Sequence, residues 1–361
     1  MISVIGQAVK RNREALGLSI ETLARHADVP EDDLRALEQN GLDTGVSVLS
    51  DLARAMGLPS TSFLSSGAAT VATSPVVSAR FFHEVKAPIL SDADVVALAR
   101  DVTRAEVFSE MVTPRTDLSS FRPREPGPKP WRNGYDLAST LRTRLALGAE
   151  PIESVQLVLE DQLGILVTQR AFTDARLRAV AVRGAKGRLV MSSARQSTTH
   201  ARISLAHELC HHLCDLAPNS ALSDEAHGTR EPFGMMGSDG EEERAKAFAV
   251  MFLAPRGLVR DAFGDPARQF QNPDRARDAA TTLAERAGIS PIAALWHLFH
   301  LEYLTDDETA VAETARYVPA EAAPTAFERS LGGPDGFMRA IEAAQAADEL
   351  DEDHADRLRR L

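Results

Sequence analysis

His207-Glu208-Leu209-Cys210-His211 constrains this chain more than any other stretch. It lies in a segment, Ile203 to Leu213, that reads as a buried helix. Residues i and i+4 stand one above the other on a helix face, so His207 and His211 can aim two imidazoles at one metal ion. Glu208 sits one residue round the helix from the first imidazole. From there a carboxylate reaches a water on the metal rather than the metal itself. A Lewis acid and a carboxylate base in that relation are what metal-assisted hydrolysis requires.

Two histidines need a third protein ligand. Six residues past His211, where one class of such sites places it, stands Ala217, and that pattern is excluded. The run Glu241-Glu242-Glu243 instead opens a second helix that ends at Leu253-Ala254-Pro255. Glu242, Ala245 and Ala249 share one face of it, at i, i+3 and i+7. Small side chains there allow close approach to the histidine helix, which makes Glu242 the expected third ligand. Glu241 and Glu243 read as a solvated first turn favoured by the helix dipole.

The surroundings resemble an ImmA/IrrE-type metallopeptidase domain over about residues 134–304. In order, the matching features are the amphipathic helix Gly134 to Arg142, a helix from Val155 to Leu163, and strands at 164–167, 179–182 and 188–191. The H-E-x-x-H helix, the E-x-x-A-x-x-F-A helix and the closing helix through Ala294-Leu295-Trp296-His297-Leu298 follow. The resemblance implies a gluzincin-like zinc site with His207, His211 and Glu242 as ligands and Glu208 as base. It also implies a substrate class, transcriptional repressors. One departure is Cys210, where the family usually has glycine.

Three further groups are candidates for chemistry. His297, His300 or Tyr303, expected on a helix from Leu295 to Leu304, could stabilise an oxyanion, and His297 is the first choice. Ordinary core histidines are the competing reading. Cys214, three residues past His211, could be a fourth ligand or a redox-sensitive group. Buried apolar packing is the plainer role for both Cys210 and Cys214. With no other cysteine in the chain, a disulfide framework is not expected and a reducing, cytoplasmic setting is.

Residues 1–64 form an expected all-α unit. Helices read from Ile5 to Leu16, from an N-cap at Ser19, from Val29-Pro30 to Gly41, and from Val48 to Met56. Leu23, Ala24, Val29, Leu34, Leu37, Glu38 and Gly41 resemble the pattern of an XRE-type (Cro/cI-like) helix-turn-helix. The resemblance implies DNA contact, for which Lys10, Arg11, Arg13 and Arg35 are the candidates. The third helix, however, opens Pro30-Glu31-Asp32-Asp33, and carboxylates repel phosphates. Residues 1–60 carry six Lys/Arg (10, 11, 13, 25, 35, 54) against nine Asp/Glu (14, 21, 28, 31, 32, 33, 38, 43, 51). That is a poor footprint for strong DNA binding, so dimerisation or partner docking competes with it.

The remaining chain is read as connection and tail. Residues 65–130 are a linker and a connecting segment, with Ser91 capping a helix that puts Val95, Leu98, Val102 and Ala105 on one face. Phe121 to Trp131 is a proline-rich connector. Residues 220–240 are a polar loop that could close over a substrate through Phe233, Met235 and Met236. Residues 305–361 are a helical tail, with Phe337, Ile341 and Ala344 on one side. Residues 131–304 remain for the metallopeptidase domain. The fold class expected is α+β: an all-α unit, a mainly helical zincin-like domain with a small sheet, and a helical end.

No 18-residue apolar run exists, so no membrane span is expected. A net charge of −12 over 361 residues discourages broad nucleic-acid binding. Two function classes follow. One is a zinc endopeptidase that cleaves a protein, the repressor. The other is a DNA-binding regulator, with a homodimer as the expected assembly, whose zinc domain serves only as sensor or scaffold. A partner-binding antitoxin-like module is a third reading.

Overall fold

Three short strands buried on both faces organise the chain. A computed structural model describes residues 4–16, 18–40, 44–56, 58, 63, 91–118, 121, 128–184, 186–216, 220–225, 240–319 and 336–359. Strands β1 (Ile165–Arg170), β2 (Leu177–Arg183), β3 (Arg188–Ser193) and β4 (Ser220–Glu225) form a mixed sheet in the order β1-β3-β2-β4. β1 pairs parallel with β3, while β2 is antiparallel to both β3 and β4. Period-two alternation splits their side chains between two cores. Ile165, Val167 and Val190 enter the larger core. Leu166, Val180, Val182, Leu189 and Met191 enter the second.

The larger core is helical. Helix α8 (Thr198–Cys214) is buried almost all round, as befits a core helix. α9 (Gly240–Leu253) packs against it and against α6 (Pro130–Arg144). The α6–α9 approach depends on Gly134, where an added Cβ would lie 2.3 Å from the Arg244 carbonyl oxygen. α9 stops at Leu253 because Pro255 cannot extend it. Helices α10 (Arg256–Phe263), α11 (Pro273–Ala287), α12 (Pro291–His300) and α13 (Glu308–Ala315) complete this side.

Buried arginines fasten these helices to one another. Arg202 donates to the carbonyls of Ile152, Glu153, Ala287 and Gly288. Arg142 reaches the Phe252 carbonyl at 2.7 Å and the turn at Gly148 to Glu150. Burial pushes both guanidinium groups down to about 10.

The second core joins three distant parts of the sequence. Helices α1 (Val4–Ala15), α2 (Ile20–Ala27), α3 (Glu31–Asn40) and α4 (Val46–Ala55) share it with α5 (Asp92–Met111), with the back of the sheet and with the C-terminal helices α14 (Gly336–Ala346) and α15 (Glu352–Arg359). Ser91 closes a capping box with Asp94 at the start of α5. The expected face of α5, Val95, Leu98, Val102 and Ala105, is buried. Phe337 and Ile341 of α14 are buried there too. Glu160 ties α14 down: it accepts from the Val167 and Gly336 amides and from Arg339. The segment 92–111 and the C-terminal helices thus cover the sheet rather than trail from it.

Several boundaries differ from expectation. The helix expected over 155–163 is a single turn, α7 (Val155–Leu157), followed by a π turn, Val158–Gln162. The helix expected from Leu295 to Leu304 ends at His300, after which Leu304 bridges to Phe270. α6 begins at Pro130, so Trp131 belongs to a helix and not to the proline-rich connector. Residues 220–225, expected as loop, are β4, whereas Phe233, Met235 and Met236 lie outside the described residues. No helix among the described residues is long and apolar enough to cross a membrane.

Candidate metal site

Helices α8 and α9 bring together the three residues that their periodicities single out. Among the described residues, one group of His, Cys, Asp and Glu is arranged to hold a metal ion: His207, His211 and Glu242. The two Nε2 atoms are 3.0 Å apart. Glu242 Oε2 lies 3.4 Å from His207 Nε2, and its Oε1 lies 3.4 Å from His211 Nε2. Zinc–ligand bonds of about 2.0–2.1 Å in tetrahedral array put neighbouring donors about 3.3 Å apart. The triangle therefore fits three ligands of such an ion, and two imidazoles with one carboxylate are a donor set zinc accepts.

Both histidines are buried and Glu242 is partly so. Burial works against a charged Glu242 carboxylate, yet the two imidazoles hold it well below the ordinary carboxylate range. Glu208 is fully buried on the same helix, and its charge acts on His211.

Behind His211 stands a relay that sequence reasoning missed. His211 Nδ1 lies 2.7 Å from Asp215 Oδ2. Asp215 Oδ1 in turn accepts from Arg244, which is fully buried on α9. A carboxylate on the far ring nitrogen fixes the tautomer and leaves Nε2 unprotonated toward the metal position. The signal was present, since Asp215 is i+4 from His211. His212, next in sequence, turns the other way: its Nε2 donates to the Leu189 carbonyl at 3.1 Å and anchors α8 to β3.

Other expected site residues stand elsewhere. His297 is fully buried, with Nδ1 2.5 Å from the Tyr135 hydroxyl and Nε2 2.7 Å from the Ala254 carbonyl. Both ring nitrogens are spent inside the core, and burial pushes its pKa down to about 3. It has no nitrogen left for an oxyanion, so that assignment is corrected to a structural one. Tyr303 likewise donates to the Gly264 carbonyl, and His300 stacks on Trp131 at 4.9 Å. Cys214 does not join the metal-binding group. It is buried beside Cys210, whose thiol burial pushes well up.

Two of the four cations expected at DNA are committed within the protein. Arg13 is buried and pairs through Nε and Nη2 with Glu38 at 2.7 Å. Arg35 is held by Glu31 and Asp32 of its own helix. Lys10 and Arg11 are exposed, with Lys10 3.9 Å from Glu14.

Residues 160–298 match the IrrE N-terminal-like domain, the M78 peptidase family. That span runs from the π turn to α12 and contains all three candidate ligands, Glu208, Asp215 and Arg244. A metallopeptidase-like domain is thus present. The match is narrower than the resemblance over 134–304, since it omits α6, although α6 packs tightly on α9. No curated protein matches the chain.

Proposed function

We propose that this chain is a zinc metalloendopeptidase whose substrate is a protein, a helix-turn-helix transcriptional repressor. The observation that carries the reading is the donor triangle of His207, His211 and Glu242 with Glu208 buried beside it. Zinc held by those three residues would polarise the scissile carbonyl and make water more acidic. Glu208 takes the proton from the attacking water and returns it to the leaving amine. Asp215 keeps His211 in one tautomer and orientation. Arg244 compensates the buried Asp215 charge.

In this reading helices α1 to α4 are an XRE-like unit that positions the peptidase. The commitment of Arg13 and Arg35 to internal ion pairs, and the acidic opening of α3, favour docking of a protein over reading of DNA. Metal analysis of the purified protein beside His211→Ala, with repressor-cleavage assays of wild type beside Glu208→Gln, tests the proposal. About one zinc per chain, lost in His211→Ala, and cleavage abolished in Glu208→Gln with zinc retained, is the expected result. Zinc bound but function intact in Glu208→Gln would point to the sensor class instead.

A further inference from the structure

A cleft of about 580 Å³ opens where α5 ends against the sheet, and none of the candidate metal ligands lines it. One wall is apolar and comes from Val112, Pro114, Leu118 and Leu163. The other is basic: Arg183 at the end of β2, Arg188 at the start of β3, and Lys186 in the turn between them. That volume and that mixture suit a small organic molecule.

The arginines are the informative part. Arg183 donates through Nη1 to the Leu216 carbonyl at 2.8 Å, and Arg188 through Nη1 to the His212 carbonyl at 3.0 Å. Each guanidinium has five N–H donors, so one bond apiece leaves most of each fork to the cleft. Among the described residues neither forms an ion pair within 4.0 Å. Two carboxylates, Glu110 and Asp117, also line the cleft. Glu110 is taken by Lys186 at 2.7 Å, and Asp117 acts on Arg188 only at longer range. Burial, with repulsion from Arg183, pushes Arg188 down to about 10. The carbonyls at the end of α8 and the charge of Asp117 offset part of the cost of two adjacent guanidinium groups, and their remaining N–H donors match the planar or tetrahedral oxyanions that guanidinium binds in pairs of hydrogen bonds.

We propose that this cleft binds a small organic oxyanion, a carboxylate or phosphate ester with a short apolar body. The anionic group lies on Arg183 and Arg188, and the apolar body lies on Val112, Pro114, Leu118 and Leu163. Its position against the carbonyls of His212 and Leu216 places the ligand at the C-terminal end of α8, the helix that carries His207 and His211.

Isothermal titration of the full chain with hexanoate and with phenyl phosphate tests this, with 1-hexanol as the uncharged control. The titrations are repeated after the metal has been stripped and the chelator dialysed away, which removes any anion bound at a metal. The expected result is saturable binding of one anion per chain, metal or no metal, and none of hexanol. Which anion binds tells carboxylate from phosphate. Arg183→Gln and Arg188→Gln should each weaken it about tenfold or more, as loss of a charge-assisted pair does, while the exposed Arg176→Gln should not. Arg183, half-buried at the cleft, decides the matter if Arg188→Gln does not fold. Failure of both anions to saturate by about 10 mM would overturn the proposal. Binding that vanishes with the metal, or is unchanged in Arg183→Gln, would do the same.

Discussion

His211 Nδ1 and Asp215 Oδ2 are 2.7 Å apart, one helical turn from each other. The contact turns a two-histidine motif into an oriented ligand set. Replacing Asp215 by Asn keeps the shape and the link to Arg244 but removes the charge that favours the working tautomer. Zinc affinity, measured by competition with a chromophoric chelator, should fall about 10- to 100-fold while the fold is kept. Unchanged affinity would mean that Asp215 serves only to neutralise Arg244.

Gly134 sets the distance between α6 and α9. A Cβ there would lie 2.3 Å from the Arg244 carbonyl oxygen and 2.8 Å from the Phe248 amide nitrogen. Both are backbone atoms of the helix that carries Glu242, so they cannot swing aside. Gly134→Ala should therefore lower stability by about 1–3 kcal/mol, the usual penalty for overpacking. It should also weaken zinc binding, because α9 must move. Urea unfolding with and without zinc measures both effects. A stabilised variant, as expected from helix propensity alone, would show that the two helices separate easily.

The site was legible because each ligand obeys the period of its own helix. His207 and His211 are i and i+4, and Glu242 shares a face with Ala245 and Ala249. The strands at 179–182 and 188–191 were legible as short apolar runs, because both of their faces are buried. What escaped depends on contacts between segments far apart in sequence. Arg244 meets Asp215 across two helices. Glu160 meets Gly336 and Arg339, which lie 176 and 179 residues away in sequence. His297 showed only a histidine on an apolar helix, and nothing local reveals that Tyr135 and Ala254 consume both its nitrogens. Arg13 misled in the same way: its partner Glu38 is on another helix.

Acid should weaken the fold through His297. Its pKa is pushed by burial from 6.5 to about 3 in the folded chain, so between those values the unfolded chain binds the extra proton. The stability this group contributes is present above about pH 6.5 and is lost as pH falls toward 3. The slope approaches about 1.4 kcal/mol per pH unit well below 6.5. His300, lowered to about 4 by burial, acts in the same direction. Metal-stripped protein unfolded in urea at pH 7 and pH 5 should lose less stability in a His297→Gln variant than in wild type. Equal losses would remove His297 from the account.

Arg13 provides the sharpest test of the N-terminal helices, because two roles predict opposite behaviour. As a DNA contact it would be solvent-facing, and its loss would spare the fold. In the structure its guanidinium is bound in a two-point pair with Glu38, which is itself buried, and also donates to the Leu18 carbonyl. Arg13→Ala leaves a buried carboxylate without its counter-charge, at a cost of about 3–5 kcal/mol. Arg11→Ala, at an exposed position of the same helix, should cost almost nothing. Thermal unfolding of the two variants should therefore differ by several degrees or more. If Arg13→Ala were as stable as Arg11→Ala, the buried pair would not be holding α1 to α3, and Arg13 would return to the surface as a candidate for binding.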